Sequence, residues 1–213
     1  MIKGYATISA TQALQDEFAD LTYVPFGSTG LRVSQAGFGS YRVTVEDETH
    51  YEALKQSLLN GVNVIDTSSN YADGGSEELV GKVLKDLIDD HLISREAYVL
   101  VSKGGYIQGQ NLERSLNRRK EGNPYPETVT LGDNLEHCIH PEFLEEQITL
   151  SLERLGVETL DGYLLHNPEY YLEFAQKEEI PREEAQHEYY KRIKNAFAYL
   201  ETEVEKGRIR FYG

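Results

Sequence analysis

Three ionisable residues stand where apolar runs of strand length end: Asp66 after "VNVI", Lys103 after "YVLVS" and His166 after "GYLL". Tyr71 follows Asp66 by five positions. A lysine withdrawn from water is costly unless a carboxylate lies near, so we expect Lys103 to pair with Asp66. The positive charge would stabilise a phenolate and make Tyr71 a general acid at neutral pH. His166 would then donate a hydrogen bond to a substrate oxygen.

The elements that must position these residues alternate regularly along the chain. In order, the patterns predict a hairpin around Gly27–Gly30, a strand "QAGFGS", a helix "DETHYEALKQSLLNG", a strand "VNVIDTS", a helix "SEELVGKVLKDLIDD" with Ser76 as N-cap, a strand "AYVLVSKGG", a helix "HPEFLEEQITLSLERLG", a strand "ETLDGYLLHNP", a helix "EEAQHEYYKRIKNAFAYLETEVEKG" and a strand "RIRFYG". Apolar strands between amphipathic helices indicate a parallel sheet covered by helices. A doubly wound open sheet and a (β/α)8 barrel both fit this order. In the barrel the carboxyl ends of the strands converge on one face, which holds the active site.

Two connections are long. The segment from Tyr106 to His140 is rich in Gly, Asn, Pro and charge, and the segment from Asn167 to about Arg182 carries a tyrosine pair. Long connections in a compact domain are usually lids or binding loops. Both follow strands, so we expect both on the same rim as the ionisable residues.

The stretches "GVNVIDTSSNY", "LVSKGG" and "YLLHNP" resemble the signatures of the aldo-keto reductase family, and "GSTGLRVSQAGFGSY" resembles its hairpin and first strand. The likeness runs from about Tyr23 to Gly213. It implies an α/β fold, the (β/α)8 TIM barrel of aldo-keto reductase type, incomplete here with the hairpin and strands 1–5. The domain would span residues 23–213, and residues 1–22 would form an N-terminal leader segment.

The resemblance also implies an activity, the transfer of a hydride between NADP(H), or NAD(H), and a carbonyl or alcohol such as an aldehyde, ketone or sugar. Tyr71 would be the proton donor, Lys103 with Asp66 would tune it, and His166 would orient the carbonyl. The residues implied for the cofactor are Gly39, Ser40, Tyr41 and Asp66; those expected at the substrate are Tyr71, His166, Asn167 and Tyr170. Ser40 stands where the family more often has Thr. The roles of Tyr170 and Tyr171 in lining the pocket or in packing stay open.

The chain departs from the family pattern in length. Members have eight β/α units and about 300 residues, in line with the general barrel size, whereas this sequence has 213. The resemblance implies that most of the residues that bind the cofactor's phosphates and adenine belong to the later β/α units. We therefore expect the 213-residue chain alone to be inactive and to self-associate.

Composition bounds the remaining possibilities. The formal charge of −15 disfavours nucleic acid and anionic membranes as partners. One cysteine, Cys138, excludes an internal disulfide framework, and the first twenty residues lack a signal-peptide pattern, so we expect a cytoplasmic protein. "HCIH" (His137–His140) has no second ligand cluster, and no metal is expected. "ADGGSE" (Ala72–Glu77) is interpreted as a turn and N-cap rather than an anion site.

Two other functions remain open. A regulatory or binding protein could keep the reductase fold, as ion-channel accessory subunits of this family do. A barrel enzyme of another chemistry, such as an isomerase, could instead use Lys103 to form a Schiff base.

Overall fold

The predicted alternation of strands and helices is present in the computed structural model, which describes residues 1–213. In chain order the elements are α1 (Ile8–Glu17), β1 (Tyr23–Pro25), β2 (Arg32–Ser34), β3 (Phe38–Gly39), α2 (Glu48–Leu59), β4 (Val64–Asp66), α3 (Gly75–Asp89), β5 (Val99–Gly104), β6 (Tyr106–Ile107), α4 (Gly109–Lys120), β7 (Val129–Gly132), β8 (Leu135–His137), α5 (Pro141–Leu155), β9 (Leu160–Leu165), α6 (Tyr170–Lys177), α7 (Arg182–Glu205) and β10 (Ile209–Tyr212). Short 3-10 turns cover Tyr71–Gly74 and Arg95–Ala97.

The main sheet decides between the two architectures that the sequence allows. Its strands lie in the order β3-β4-β5-β9-β10, and every neighbouring pair is parallel. In a doubly wound sheet the order reverses at a switch point. Here each strand of the sheet lies beside the strand of the same sheet that follows it in the chain, which is the winding of a (β/α)8 barrel. Five strands of that barrel are present.

The largest apolar cluster lies between this sheet and the helices. It joins outward side chains of the strands, such as Ile65 and Leu100, to buried residues of α3 and α5, such as Leu79 and Ile148. Helices α3 and α5 pack closely at Gly81, where an added Cβ would lie 2.7 Å from two carbonyl oxygens of α5. The α5 boundaries follow the predicted signals, with Pro141 at the start and Gly156 as a left-handed C-cap.

A smaller cluster covers the opposite face of the sheet near its amino end. The β1–β2 hairpin contributes Leu31 and Val33, the N-terminal segment contributes Ala6, and the sheet contributes Val99 and Val101. Val64, Leu164 and Phe211 pack partly buried against this cluster. The inner face of the sheet is therefore partly covered near its amino end.

The segment between Tyr106 and His140 is not the irregular loop that its composition indicated. Strands β6, β8 and β7 form a three-stranded antiparallel sheet, and α4 lies between β6 and β7 in the chain. A small core of Ile107, Tyr125, Cys138 and Phe143 holds this segment to α5. The second long connection likewise contains a helix, α6.

The N-terminal segment packs against the rest of the chain. Residues 1–22 contact the domain, since Ile2 bridges to Val157 and the amide of Ala6 donates to the buried carboxylate of Asp161 at 2.7 Å. The domain boundary near residue 23 stays a prediction.

β3 and β10 are the two edges of the main sheet. None of the helices is long and apolar enough to cross a membrane.

Candidate active site

Lys103 is the centre of a polar cluster at the carboxyl end of the sheet. Its amino group forms an ion pair with the carboxylate of Asp66 and donates to the carbonyl oxygen of Thr67 at 2.9 Å. The same amino group lies 3.3 Å from the phenolic oxygen of Tyr71. Lys103 is 9% exposed, whereas half of the Asp66 side chain faces solvent. The cation is thus fixed inside the protein and presented to one phenol.

Tyr71 reaches this cluster because β4 ends at Asp66 and the chain turns back at once. The 3-10 turn starts at Tyr71 itself, and its amide donates to the carbonyl of Ser68. The Tyr71 ring lies edge-on to Tyr41 on one side, with centroids 5.2 Å apart, and edge-on to His166 on the other, at 5.7 Å. The phenol is therefore held between aromatic walls with its oxygen toward Lys103.

His166 follows the last residue of β9 and is neutral at physiological pH. Burial and the nearby positive charge of Lys103 lower its pKa from 6.5 to about 4. Its Nδ1 lies 2.9 Å from the hydroxyl of Ser68. The Nε2–H of His137 donates to the backbone oxygen of His166 at 2.7 Å, and burial lowers the pKa of His137 as well. The imidazole of His166 therefore carries one proton, whose position depends on Ser68.

Three further side chains form the far side of the site, where Tyr106 faces the cleft and Asn167 and Tyr170 lie behind it. The hydroxyl of Tyr106 donates to Oδ1 of Asn167 at 3.1 Å and lies 3.0 Å from that of Tyr170. The Tyr106 ring lies edge-on to His166 with centroids 4.6 Å apart. Burial and the hydrogen bond to Tyr170 raise the pKa of Tyr106. Of the tyrosine pair, Tyr170 thus lies at the site, while Tyr171 is buried in a separate apolar cluster.

These residues surround an open cleft of about 630 Å³. Its lining residues are Tyr41, Arg42, Asn70, Tyr71, Ala72, Asp73, Tyr106, Gln108 and His166. Asp66 and Lys103 lie behind Tyr71, and Asn167 and Tyr170 lie behind Tyr106.

The residues from Gly39 to Tyr41, which we expect to contact a cofactor, lie in two different environments. Tyr41 is exposed and lines the cleft, and the space in front of Gly39 is open, since an added Cβ would meet no atom within 4 Å. Ser40 is fully buried, and its hydroxyl donates to the carbonyl oxygen of Asp66 at 2.9 Å. The hydroxyl of Ser76 donates to that of Ser40 at 2.7 Å. The side chain of Ser40 therefore holds the strand ends together rather than facing the cleft.

Ser76 is not the N-cap that the sequence indicated. The N-cap residue is the left-handed Gly74, two positions earlier, and helix α3 begins at Gly75. The Ser76 hydroxyl is consequently buried and bonds to Ser40 and, at 3.0 Å, to Thr67. This places a hydroxyl network directly beneath Asp66.

A buried ion pair supports the site from the helix side. Glu77 in the first turn of α3 is fully buried; its carboxylate accepts from Ser102 at 2.5 Å and from Nε of Arg154 at 2.7 Å. Ser102 precedes Lys103 on β5, and Arg154 belongs to α5. The two contacts tie the start of α3 to the strand that carries Lys103 and to α5.

Sequence reasoning missed Ser68, Asn70, Tyr106 and Gln108. Ser68 and Asn70 belong to the polar run that follows Asp66. The composition of this run indicates a site, but it does not show which side chains face inward. Tyr106 follows Lys103 by three residues at the start of a segment that we interpreted as a lid.

The proteins that this chain resembles agree with the geometry of the site. The family model described as the Aldo/keto reductase family matches residues 35–213. The chain belongs to the aldo/keto reductase family. Two relatives are the NADH-specific methylglyoxal reductase of Escherichia coli, 26% identical over 67% of this chain and 41% of that protein, and the aldo-keto reductase YhdN of Bacillus subtilis, 24% identical over 76% of this chain and 43% of that protein.

Solved structures of aldo-keto reductases share the fold. One from Bacillus halodurans, in its holo form, gives a TM-score of 0.61 at 23% identity, over 91% of this chain and 49% of that one. One from Klebsiella pneumoniae, in complex with NADP and acetate, gives 0.51 at 24% identity, over 86% of this chain and 46% of that one. This aldo/keto reductase chain therefore spans about half the length of the proteins it matches.

Proposed function

We propose that these residues supply the catalytic half of an NAD(P)-dependent aldo-keto reductase, which transfers a hydride between NADP(H), or NAD(H), and the carbonyl or alcohol group of a small aldehyde, ketone or sugar. One observation carries the proposal: a buried lysine contacts both a carboxylate and the hydroxyl of a tyrosine that lines an open cleft beside a neutral histidine. This arrangement suits proton transfer to an oxygen.

In the reduction direction, Tyr71 donates its phenolic proton to the carbonyl oxygen as negative charge develops there. The positive charge of Lys103 stabilises the phenolate that forms, and the ion pair with Asp66 holds the Lys103 side chain in place. Because His166 is neutral, it can donate only one ring proton. The hydroxyl of Ser68 has one proton, which it donates to Oδ1 of Asn70 at 2.7 Å in this structure. If that hydroxyl turned to Nδ1 of His166, the ring proton would stand on Nε2, where it can bind the substrate oxygen.

The residues present fit the nicotinamide end of a cofactor. Tyr41 offers an exposed aromatic face, and the open space in front of Gly39 admits a flat ring next to Asp66. When bound, the nicotinamide supplies or accepts the hydride. NADP(H) is proposed first; NAD(H) stays an alternative, since the similar proteins include an NADH-specific reductase and a reductase bound to NADP.

The Schiff-base alternative is disfavoured by the contacts of Lys103. An amine that attacks a carbonyl must offer a lone pair. The amino group of Lys103 instead contacts a carboxylate, a carbonyl oxygen and a phenol, as expected of an ammonium.

A non-catalytic regulatory role is the second candidate. It is favoured by one relative, from Schizosaccharomyces pombe, named as a proposed voltage-gated potassium channel subunit beta; it is 31% identical over 68% of this chain and 37% of that protein. The intact cluster at Lys103 supports the enzyme but is compatible with both.

The direct test is an assay of two preparations with reduced cofactor and a generic aldehyde. The first is the 213-residue chain, and the second is the same chain completed by the C-terminal half of a related reductase barrel. We expect no turnover in the first and cofactor oxidation in the second. A completed barrel that binds cofactor but never oxidises it, over a panel of aldehydes, ketones and sugars, would favour the regulatory role.

A further inference from the structure

The three residues after Tyr71 adopt an unusual backbone. Ala72 and Asp73 have φ values of 48° and 53°, and Gly74 has a φ of 98°. Residues with a Cβ rarely adopt this left-handed conformation, and two in succession persist only where the surroundings hold them. The turn that carries Tyr71 into the cleft therefore needs an anchor.

Asp73 provides a contact of that kind, although its side chain is at the surface. Its carboxylate oxygens accept from the backbone amide of Gln110 at 3.1 and 3.3 Å, and its carbonyl oxygen accepts from the Gln110 side chain at 3.4 Å. Gln110 lies in the first turn of α4, whose own N-cap residue, Gln108, makes no side-chain cap. A carboxylate at this position satisfies a free helix N–H and meets the positive end of the helix dipole.

The approach of the two segments depends on a glycine. Gly109 begins α4 with a φ of 51°, and a Cβ added there would overlap the carboxylate of Asp73. A second, longer contact joins the same segments, since the side-chain Nδ2 of Asn70 donates to Oε1 of Gln108 at 3.5 Å. The start of α4 is thus fitted to the turn after Tyr71.

We propose that Asp73 is a positioning residue for Tyr71. By capping α4 from outside the helix, it holds the left-handed turn and so keeps the phenol of Tyr71 against Lys103. The contact also couples the 106–140 segment to the site, because α4 belongs to that segment. The catalytic consequence rests on the proposed function, whereas the positioning itself does not.

The positioning is tested on the completed barrel, because we expect the 213-residue chain alone to associate, by two measurements that need no turnover. One is hydrogen exchange at the start of α4, and the other is the NMR signal of the Tyr71 ring carbon bonded to oxygen, identified by its loss in Tyr71→Phe. In Asp73→Ala we expect several-fold faster exchange at Gln110 and a shifted or broadened Tyr71 signal. Asp73→Asn should preserve both, because Asn caps helices as well as Asp does.

Two more variants sharpen the result. Gly109→Ala should reproduce Asp73→Ala from the other side of the contact, and Asp133→Ala, an exposed aspartate in the same segment with no side-chain hydrogen bond, should change nothing. A Tyr71 signal that is identical in Asp73→Ala and the parent overturns the proposal. So does an Asp73→Asn variant that behaves like Asp73→Ala.

In the completed barrel, Asp73→Ala should lower kcat by about 10- to 100-fold, the order expected when a reacting group is misplaced by an ångström, and leave KM within about twofold. Asp73→Asn should restore kcat. If the parent barrel shows no turnover, the proposed function fails, while the Tyr71 signal still decides the positioning. A normal kcat in Asp73→Ala would overturn the coupling to catalysis.

Discussion

The amino group of Lys103 lies 3.3 Å from the phenolic oxygen of Tyr71, although the two residues are 32 positions apart in the chain. The contact exists because β4 and β5 are adjacent parallel strands, with Asp66 opposite Val101 in the register. β5 continues past that level to Gly104, so Lys103 lies two residues beyond the end of β4, and the turn after Asp66 folds Tyr71 back over it. A buried cation and a phenol at this distance form the core of the proposed acid.

Replacing Tyr71 with Phe removes the transferable proton and little else. In the completed barrel we expect carbonyl reduction to fall by about 10²- to 10⁴-fold, the usual contribution of a general acid, with the cofactor dissociation constant nearly unchanged. Steady-state rates with an aldehyde and fluorescence titration with the reduced cofactor measure both. Tyr190→Phe, at an exposed tyrosine of α7, is the matched control. Normal turnover in Tyr71→Phe would remove this residue from the acid role.

Lys103 and Tyr71 should act as one unit. Lys103→Met removes the charge that stabilises the phenolate, so it should lower kcat strongly in the parent. In the Tyr71→Phe background the same change should add little, because the group that it serves is already absent. A double-mutant cycle on kcat measures this coupling. Independent, additive losses would show that Lys103 acts through something other than Tyr71.

The Glu77–Arg154 pair should matter for stability in a way that surface pairs do not. Arg154→Met leaves the fully buried carboxylate of Glu77 without its cation and should destabilise the fold by about 3–5 kcal/mol. The double variant Glu77→Met with Arg154→Met should recover part of that loss. Lys85→Met breaks the exposed Lys85–Asp89 pair on α3 and should have no measurable effect. Urea unfolding of the variants gives the comparison, and equal effects in Arg154→Met and Lys85→Met would contradict it.

His166 should make the protein less stable in acid. Its pKa is about 4 in the folded chain and near 6.5 when unfolded, so between these values the unfolded chain binds more protons. The free energy of unfolding should therefore fall as pH drops from 6.5 to 4. Buried His137, whose pKa is also lowered, contributes in the same direction. Urea midpoints at several pH values should show a shallower fall in His166→Asn. The control His187→Asn, at an exposed histidine, should show the same dependence of the urea midpoint on pH as the parent. The same dependence in His166→Asn would refute the assignment of the acid effect to His166.

The open sheet predicts association of the 213-residue chain. β3 and β10 each pair with a strand on one side only, and such edges favour pairing with another chain. We expect oligomers or aggregates by size-exclusion chromatography with light scattering. Co-expression with a complementary half-barrel should yield a defined 1:1 complex. A stable monomer that binds the cofactor tightly would contradict both this expectation and the location of the cofactor site.

Local patterns of the sequence predict much of the fold. The five apolar runs became the five parallel strands, and Pro141 and Gly156 bound α5 as their backbone preferences predict. The strand-end position of Asp66, Lys103 and His166 was visible for the same reason, since apolar runs stop where the sheet ends. These features depend on neighbours a few residues apart, which is the range that periodicity and capping rules describe.

Other features arose only from the tertiary structure. Strand order, which separates the barrel from a doubly wound sheet, is a property of pairing between distant strands. Ser68 and His166 are 98 positions apart, and no local pattern indicates that Ser68 faces that imidazole. Ser76 looked like an N-cap, but Gly74 starts the helix earlier, and the freed hydroxyl turns inward to Ser40. The left-handed turn after Tyr71 is likewise set by contacts with α4, because the intrinsic preference of Ala72 and Asp73 is for other conformations.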